Sequence, residues 1–329
     1  MRVLAGDVGG TKSLLAIFEQ REHGDFQVVQ ERRFKSQSFR GLEEVLDAFG
    51  INGNHALDAA CFAVAGPIHD GRCQTPNLPW QLDIRHLQKT LDLEPVALIN
   101  DFLAVGHGLD LLTPDQILTL QDGKTDPHGP RAILGAGTGL GQAFAIWDGK
   151  RHRVYPSEGS HVDFAPRNAL EIGLLKFLQG QFGRVSYDRV VNGSGLALIY
   201  RYLVDSGEFQ ASRQVRQEMA ESDADPAAIV SKHALTGADP TCVRALHTFV
   251  SLYGAEAGNL ALKLLATGGV YIAGGIAPKI LKALRDGTFL EAFHDKGRFR
   301  SFMEALPLHI ILEPRVGLLG AAAVAATPD

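Results

Sequence analysis

Apolar residues in this chain occur in short runs that end in glycine or in polar side chains, and two pairs of these runs share one design. Residues 3–8 and 14–18 form one pair, and residues 132–136 and 143–147 form the other. A turn containing Gly-Thr separates the runs of each pair, so each pair predicts a strand, a turn and a second strand. We call them the first hairpin (residues 3–18) and the second hairpin (residues 132–147). Their common design suggests two related halves.

The turns of the two hairpins are candidate phosphate sites. Glycine at positions such as Gly9, Gly10 and Gly137 lets the backbone bend and bring bare N–H groups up to a phosphate. Thr11 and Thr138 occupy equivalent places. Ordinary glycine-rich hairpins are the alternative. A Walker loop is excluded because Thr11 replaces its last glycine, and a Rossmann fingerprint is excluded because the second hairpin continues as a strand rather than a helix.

The pattern between the hairpins predicts helices that alternate with buried strands. Residues 41–50 and 84–91 have helical spacing, and a glycine ends the first of these segments. Residues 59–65 and 96–99 are continuous apolar runs, which are typical of strands buried on both faces. The alternation favours a mixed, largely parallel α/β sheet, in which ligands bind at the carboxyl ends of the strands.

Asn100 and Asp101 follow the buried strand at residues 96–99 and open a helical segment. Asn and Asp at such a position are good helix caps, which is one interpretation of the pair. The functional interpretation makes Asp101 a general base on a rigid element, with the neighbouring amide orienting the substrate. Sequence position alone leaves both interpretations open.

Residues 156–166 contain Glu158, His161 and Asp163 among prolines and glycine, which predicts a polar loop without a helix or regular strand. Carboxylate and imidazole groups pair with vicinal hydroxyls, so Glu158 and His161 favour a pocket for a hydroxylated small molecule. A metal site through His161 and Asp163 is the alternative, although the segment lacks a third ligand with the spacing of a known metal motif.

The second half of the chain contains two segments rich in small residues and one polar region. A strand is predicted at residues 269–276, and Gly274 and Gly275 near its end predict either an adenosine pocket or an ordinary turn into a helix. Residues 205–240 are the most polar part and predict helices joined by exposed loops. The small-residue helix predicted at 317–326 should pack closely on another element.

Composition narrows the function classes. The 329 residues are 45% hydrophobic and 21% charged, which is ordinary for a soluble chain long enough for two domains. No apolar stretch reaches the ~20 residues of a membrane span, and no signal-peptide pattern is present, so we expect a cytoplasmic protein with no membrane partner. The net charge of -5 gives no basic footprint for nucleic acid. Three scattered cysteines support neither a disulfide framework nor a structural zinc.

Taken together, the motifs resemble those of the bacterial glucokinase family. They fall in the order of that family along nearly the whole chain. The matching segments are Gly6–Thr11, Ile99–Phe102, Gly135–Gly141, Glu158–Pro166, Ala273–Ile276 and Gly317–Gly320.

The resemblance implies an α/β, two-domain actin-like ATPase (ribonuclease H-like) fold with an interdomain cleft. It implies a smaller domain at residues 1–110 plus 312–329, and a larger domain at 111–311 that carries a helical insertion. The implied function is a hexose kinase of glycolysis that phosphorylates the 6-hydroxyl of D-glucose with ATP and Mg²⁺. A homodimer is compatible with the resemblance.

The resemblance also implies site residues. Asp101 would be the catalytic base, and Asp7 would sit near Mg²⁺, directly or through water. The glucose ligands would be Asn100, Asp101, Glu158, His161 and Asp188. The nucleotide would contact Gly6, Asp7, Gly9, Gly10, Thr11, Lys12, Gly137, Thr138, Gly274 and Gly275.

Two residues depart from the family pattern, which usually has Glu at Asp188 and commonly Asn at Lys12. The first change shortens a sugar ligand by one methylene, and the second adds a charge near the phosphates. Pairing of Asp188 with Arg184 or Arg189 on the surface is the alternative to sugar binding. The rival functions are a kinase for another hexose, a sugar-responsive regulator of the same fold, and a chaperone-type ATPase.

Overall fold

The structure is a computed structural model that describes residues 1–21, 25–51, 56–75, 78–221 and 224–327. The strands in these residues are β1 (Arg2–Val8), β2 (Lys12–Gln20), β3 (Phe26–Lys35), β4 (Ala59–Val64), β5 (Arg72–Gln74), β6 (Gln81–Asp83), β7 (Val96–Asn100), β8 (Ile117–Gln121), β9 (Arg131–Ala136), β10 (Leu140–Trp147), β11 (His152–Ser157), β12 (Gly269–Ala273) and β13 (Leu308–Ile311). The α-helices are α1 (Leu42–Phe49), α2 (Ile84–Leu91), α3 (Asp101–Gly108), α4 (Ala169–Phe182), α5 (Tyr187–Val190), α6 (Gly193–Asp205), α7 (Arg213–Met219), α8 (Pro226–Leu235), α9 (Pro240–Leu264), α10 (Leu281–Leu284), α11 (Thr288–His294), α12 (Arg300–Glu304) and α13 (Val316–Ala326).

The chain divides into two compact units. The first unit comprises Met1–Ile117, Arg153–Pro156 and Glu313–Asp329, and the second comprises Leu118–His152 and Ser157–Leu312. None of the helices in the described residues is long and apolar enough to cross a membrane.

The first unit is built on a sheet with the strand order β3-β2-β1-β4-β7. The first hairpin is the antiparallel pair β1–β2, as its apolar runs predict. Strands β1, β4 and β7 are parallel to one another. The sheet is therefore mixed. Its parallel part consists of β1 and of β4 and β7, the two strands that the sequence predicts to be buried on both faces.

Each face of this sheet is covered by helices because apolar side chains alternate along its strands. Leu4 and Val8 of β1 belong to the cluster that α1 and α2 cover. Val3 and Ala5 belong to the cluster on the opposite face, where the small residues of α13 pack. Asp7 has the same parity as Val3 and Ala5, so its side chain lies on the α13 face.

The second unit repeats this design. In its sheet the strands β10-β9-β12-β13-β8 are neighbours in that order, and the second hairpin is the antiparallel pair β9–β10. Strand β12 runs parallel to β9 on one side and to β13 on the other. In both sheets a hairpin therefore supplies the first strand of a parallel set, as two related halves predict.

The long helix α9 runs through the core of the second unit. Phe249, Tyr253 and Ala257 on this helix are all fully buried. Gly254 lies so close to α11 that a Cβ there would be 2.2 Å from the carbonyl oxygen of Phe289. Helices α7 and α8 lie in the polar region at residues 205–240 as predicted, although Ser222 and Asp223 lie outside the described residues.

One prediction about local structure is wrong in part. The sequence predicts no regular strand or helix at residues 156–166, but β11 extends to Ser157 and a 3-10 turn spans Gly159–His161. Strand pairing is decided by neighbouring strands, so sheet formation overrides the local signals of proline and glycine.

Candidate active site

Two predicted functional carboxylates lie at the same edge of the first unit's sheet. The carboxyl ends of β1, β4 and β7 meet at this edge because the three strands are parallel. Asp7 is level with Ala63 of β4, which is level with Ile99 of β7, and Asp101 follows two residues later. The strands that carry Asp7 and Asp101 are separated by two strand spacings, roughly 10 Å.

The carboxylate of Asp7 is half-buried and receives no hydrogen bond from any residue that the structure describes. Burial raises the pKa of Asp7 from 3.8 to about 6. Gly317, at the start of α13, faces it, and a Cβ at this glycine would lie 3.7 Å from Asp7 Oδ2. The positive end of the helix dipole is close to the carboxylate but does not offset its desolvation.

This chemistry fits a magnesium ion that takes few ligands from the protein. Among the described residues, no group of three or more His, Cys, Asp or Glu side chains is arranged to hold a metal. Mg²⁺ is typically bound by one or two carboxylates, with phosphate oxygens and water completing its shell. A single carboxylate without a hydrogen-bond donor, such as Asp7, is the donor set expected for such an ion.

Asn100, and not Asp101, caps helix α3. The Oδ1 atom of Asn100 accepts hydrogen bonds from the backbone N–H groups of Phe102 at 2.9 Å and Leu103 at 3.1 Å. Its Nδ2 atom faces the carbonyl oxygen of Gly66 at 3.5 Å. Asp101 is half-buried at the first position of the helix, where its carboxylate also accepts from its neighbour Phe102 at 2.9 Å. Because the amide supplies the cap, the helix does not depend on the charge of Asp101.

Helices α3 and α13 pack backbone to backbone. A Cβ at Gly320 would be 1.8 Å from the carbonyl oxygen of Ala104, and one at Gly108 would be 2.1 Å from that of Val316. Only glycine permits so close an approach. This contact fixes the helix that begins with Asp101 against the helix whose first turn faces Asp7, so the predicted tight packing of the last helix has a role at the site.

The turn of the first hairpin is held by two buried hydroxyl groups. Gly9 N donates to Lys12 O at 3.0 Å and closes the turn. The hydroxyl of Ser36 donates to Gly9 O at 2.7 Å and is 2.9 Å from the hydroxyl of Ser13. The backbone N–H of Ser36 also donates to Thr11 O at 3.1 Å. The exposed Lys12 stands opposite Lys35 in the β2–β3 pair, which places two positive charges next to the turn.

Gly6 lies within β1, before the turn. A Cβ there would be 2.6 Å from the ring of Phe62 and 2.8 Å from the side chain of Leu15. Core packing thus favours glycine at this position, and the contact of Gly6 with the nucleotide stays a prediction.

The turn of the second hairpin is held by a carboxylate. Gly137 N donates to Gly139 O at 2.8 Å, and Gly193 N at the start of α6 donates to Gly137 O at 3.1 Å. The half-buried Asp188 accepts from Leu140 N at 2.8 Å through its Oδ1 atom. Asp188 therefore contacts the turn of the second hairpin directly, and no local sequence pattern predicts this contact.

The alternative partners of Asp188 are engaged elsewhere. Arg184 pairs with Asp163 at 2.8 Å and donates to the carbonyl oxygen of His161 at 2.7 Å. The guanidinium of Arg189 lies 4.5 Å from the ring centroid of Phe182. The interpretation of Asp188 as a partner of a surface arginine is wrong.

Gly274 lies at the same sheet edge as the second turn because β9 and β12 are parallel. Its φ of +84° is in the left-handed region, and a Cβ there would be 2.5 Å from the carbonyl oxygen of Ala136. Gly275 is exposed, and a Cβ at this position would have no non-neighbouring residue within 4 Å. Tyr253 completes this edge, since its hydroxyl accepts from Ala136 N at 3.0 Å and donates to Ala273 O at 3.4 Å.

Glu158 and His161 lie on the 3-10 turn that follows β11. The Nε2 atom of His161 is 3.7 Å from Oε2 of Glu158, and both side chains are more than half exposed, at 58% and 56%. They are available to hydrogen-bond a polar ligand. Asp163 is bound to Arg184, so the alternative of a metal site through His161 and Asp163 gains no support.

Sequence reasoning missed the residues that hold the two turns. Ser36 and Tyr253 act through hydroxyl groups far along the chain from the turns, and no local pattern distinguishes them from other buried Ser and Tyr. Gly193 did leave a signal, because Gly193-Ser194-Gly195 predicts the start of a helix. That Gly193 contacts Gly137 depends on the tertiary fold.

Comparison with known proteins establishes the class of fold. The glucokinase from an Antarctic psychrotroph matches with a TM-score of 0.82 and 29% identity, over 99% of this chain and 98% of that chain. A ROK family glucokinase from Streptomyces griseus, solved in complex with glucose and AMPPNP, matches with a TM-score of 0.68 and 20% identity over 99% of each chain. The predicted α/β fold of the actin-like type is confirmed.

Sequence comparison then gives the family. The glucokinase family profile matches residues 4–328. A glucokinase from Nostoc sp. is 45% identical over 337 residues, covering 98% of each chain. The chain belongs to the glucokinase family.

Proposed function

We propose that this protein is a glucokinase that transfers the γ-phosphoryl group of ATP to the 6-hydroxyl of D-glucose, with Asp101 as the general base. Family membership supports the reaction. The observation that carries the assignment is the shared sheet edge: Asp7 lies near the carboxyl end of β1, and Asp101 directly follows β7, two strand spacings or roughly 10 Å away. We propose that the phosphoryl group and the attacking hydroxyl meet at this edge.

In the proposed reaction, Asp101 accepts the proton of the sugar's 6-hydroxyl while that oxygen attacks the γ-phosphorus in line. A bond forms between O6 and phosphorus, the bond from phosphorus to the β–γ bridging oxygen breaks, and ADP leaves. Phosphoryl transfer requires little covalent chemistry from the protein, so catalysis is mainly positioning and charge neutralisation. A carboxylate on a helix capped by its neighbour is a rigidly held base.

Asp7 is proposed to hold Mg²⁺, directly or through water. The bound ion would neutralise charge on the phosphate oxygens. Backbone N–H groups of Gly10 and Thr11 are proposed to contact the phosphates. The N–H of Gly9 closes the turn through Lys12 O, so Gly9 is proposed to border the phosphates without donating to them. The positive charge of Lys12 would add to the attraction for the phosphates.

The remaining nucleotide contacts are proposed in the second unit. Thr138 would contact phosphate through its backbone N–H, and Gly137, whose own N–H is bound to Gly139 O, would border the phosphate. Gly274 and Gly275 would lie against adenosine. The shared edge of β9 and β12 supports this assignment. Absence of side chains at Gly275 leaves its backbone accessible to a planar base.

The glucose ligands are proposed to be Asn100, Asp101, Glu158, His161 and Asp188. The cap occupies Oδ1 of Asn100, so Nδ2 is the atom left for the sugar. Asp188 uses Oδ1 for Leu140, so Oδ2 is the atom proposed to accept from a hydroxyl.

The proposal includes a cytoplasmic location and the domain division at residues 1–110 plus 312–329 and 111–311, which the two compact units support. A homodimer is compatible with it. The competing candidates are a kinase for another hexose, a sugar-responsive regulator of the same fold, and ADP or polyphosphate as the donor.

A coupled assay of the purified protein across a hexose panel, with Mg-ATP, Mg-ADP and polyphosphate as donors, tests the proposal. We expect the highest kcat/KM with glucose and Mg-ATP. A higher kcat/KM for another hexose, or turnover only with another donor, would replace the substrate assignment. Sugar binding without turnover would favour the regulator.

Asp101→Asn tests the base. We expect kcat to fall by at least ~100-fold, the scale of general-base catalysis, while glucose still binds. The helix keeps its cap because Asn100 provides it. Asp115→Asn, which neutralises an exposed carboxylate of the same unit, is the matched control and should keep wild-type kcat. Retention of more than about a third of wild-type kcat by Asp101→Asn would remove the base assignment.

A further inference from the structure

A buried polar network lies in the second unit, outside every residue assigned to the site. Its centre is Glu256 on α9, which is 0% exposed, next to Gln142 of β10 at 1%. Gln142 Nε2 donates to Glu256 Oε1 at 2.8 Å, and Asn259 Nδ2 donates to Oε2 at 3.0 Å. Both carboxylate oxygens accept from amides, which is the pattern that the ionised form requires.

A cation balances the buried charge through the same amide. Lys296 Nζ donates to Asn259 Oδ1 at 2.8 Å and to the carbonyl oxygen of Ala255 at 3.0 Å. Asn259 therefore stands between Glu256 and Lys296. Burial lowers the pKa of Lys296 to about 8 and raises the pKa of Glu256. Burying this pair costs free energy that apolar side chains of equal volume would avoid.

The network reaches the two segments that carry the proposed sugar ligands of this unit. The Oε1 atom of Gln142 lies against Gly159, where a Cβ would be only 2.5 Å away, and Gly159 follows Glu158 in the 3-10 turn. Asn259 Nδ2 also donates to the hydroxyl of Tyr187 at 3.1 Å, and Tyr187 precedes Asp188.

The network is also joined to the second hairpin, because Gln142 belongs to β10 and follows Leu140, whose N–H binds Asp188. Hydrogen bonds are directional, whereas apolar contacts of the same volume tolerate small rotations. The hydrogen bonds of Glu256, Gln142 and Asn259 therefore restrict the relative positions of these segments more closely than apolar packing would.

We propose that Glu256 is a positioning residue of the sugar site, which holds the Glu158–His161 turn through Gln142 and the Asp188 segment through Asn259 and Tyr187. The inference rests on the proposed function, and it assigns glucose affinity to a residue that does not touch the sugar. Its effect should therefore appear in KM for glucose more than in KM for ATP.

Glu256→Gln is the first test variant. The change preserves shape, but the introduced amide has one acceptor oxygen and meets two donors, Gln142 Nε2 and Asn259 Nδ2. Either one donor loses its partner or the Gln142 amide turns over and brings its NH₂ group against Gly159. We expect KM for glucose to rise roughly 10-fold, with kcat and KM for ATP changed less than about threefold.

The reciprocal double variant, Glu256→Gln with Gln142→Glu, supplies the rescue. It restores one carboxylate and one amide with donors and acceptors matched, and it keeps an oxygen beside Gly159. We expect KM for glucose in the double variant to return to within about threefold of wild type. Gln142→Glu alone places two carboxylates next to each other, so its KM for glucose should be higher than that of Glu256→Gln or of the double variant. Glu291→Gln, at an exposed site on α11, is the control.

Tyr187→Phe tests the other arm independently of the folding of the Glu256 variants. It removes only the hydroxyl that accepts from Asn259 and keeps the ring that packs edge-on against Phe164 at 5.6 Å. We expect KM for glucose to rise about threefold, with a loss of about 1–2 kcal/mol in unfolding free energy because Asn259 loses an acceptor.

The outcomes separate the two proposals. A wild-type protein that does not phosphorylate glucose overturns the proposed function and this inference together. An active wild type whose Glu256→Gln and Tyr187→Phe variants keep KM for glucose within about twofold overturns the inference alone. A lowered melting temperature with unchanged KM means that the network serves stability only and also overturns it.

Discussion

The two hairpins have the same topology, yet opposite chemistry supports their turns. The turn of the first hairpin is held by the neutral hydroxyl groups of Ser13 and Ser36, and the nearby carboxylate of Asp7 receives no hydrogen bond from the described residues. The turn of the second hairpin is held by a carboxylate, because Asp188 accepts from Leu140 N at 2.8 Å. The carboxylate of Asp7, beside the first turn, is therefore available to a ligand, whereas the carboxylate of Asp188 is used as a hydrogen-bond acceptor that supports the second turn.

This difference shows how a duplicated element acquires two roles. A carboxylate that is already satisfied by the backbone is a poor metal ligand, whereas one left without donors gains most from a cation. Burial raises the pKa of Asp7 to about 6, which means that its ionised form is destabilised and that a bound cation would stabilise it. The hairpin topology thus sets the turn, and the side chains around each turn decide what it can bind.

Asp7→Asn should give the largest effect, since it removes the charge that distinguishes the first hairpin. Metal stabilisation is worth several kcal/mol, so we expect kcat to fall roughly 1,000-fold and the Mg²⁺ dependence of the remaining activity to weaken. Steady-state kinetics over a Mg²⁺ titration measure both. A fall in kcat of less than tenfold would show that Asp7 is not required to hold Mg²⁺.

The same variant should be more stable than wild type at neutral pH. Folding raises the pKa of Asp7 from 3.8 to about 6, so the folded state binds more protons between these values and stability falls as pH rises through them. Removing the charge should therefore add up to about 3 kcal/mol of unfolding free energy above pH 6 and almost nothing near pH 4. Denaturant unfolding without Mg²⁺ at both pH values checks the sign.

Asp188→Ala should give the next largest effect, because it removes the charge that supports the second hairpin. A hydrogen bond to a charged group is worth ~1.5–3 kcal/mol, so kcat/KM for glucose should fall roughly 10- to 100-fold. Asp188→Asn keeps an oxygen that can accept from Leu140 N but removes the negative charge. Comparing it with the alanine variant therefore distinguishes support of the turn from the effect of the charge. Asp188→Glu should raise KM more than it lowers kcat, since the longer arm displaces either the turn or the sugar. A value within about twofold of wild type for the alanine variant would exclude Asp188 from the site.

Gly274→Ala tests the backbone around the second turn. A Cβ at φ +84° and 2.5 Å from Ala136 O is both strained and crowded, so we expect a loss of about 1–3 kcal/mol in unfolding free energy. Gly275→Ala is the matched control, because nothing lies within 4 Å of its Cβ, and its melting temperature should stay at the wild-type value. Equal stability of the two variants would contradict the close contact with Ala136.

Ser36→Ala is the smallest predicted effect and concerns the neutral support of the first turn. It leaves Gly9 O and the buried hydroxyl of Ser13 without this partner, which should cost about 1–2 kcal/mol of stability. The exposed Ser38, in the same short 3-10 helix, provides the control substitution Ser38→Ala. If Ser36→Ala and Ser38→Ala have the same melting temperature, the hydroxyl of Ser36 does not stabilise the first turn, and the proposed difference between the two turns is lost.

Local signals in the sequence determined most of the secondary structure and the location of the candidate site. Helix α1 ends at Gly50 with φ +99°, as a glycine stop predicts, and α2 spans Ile84–Leu91 as its spacing predicts. Both hairpins formed where apolar runs flank a glycine turn. Periodicity and turn chemistry act over a few residues, so the chain carries this information in one dimension.

Only the tertiary structure decided which atom each polar side chain binds. Asn100 took the helix cap and left Asp101 at the sheet edge, and Asp188 bound the backbone of a turn distant in sequence rather than a neighbouring arginine. Glu256 found Gln142 across the second unit. The physical reason is that a polar group has several chemically equivalent partners, and the choice among them depends on distance and direction in the folded chain, which no local pattern encodes.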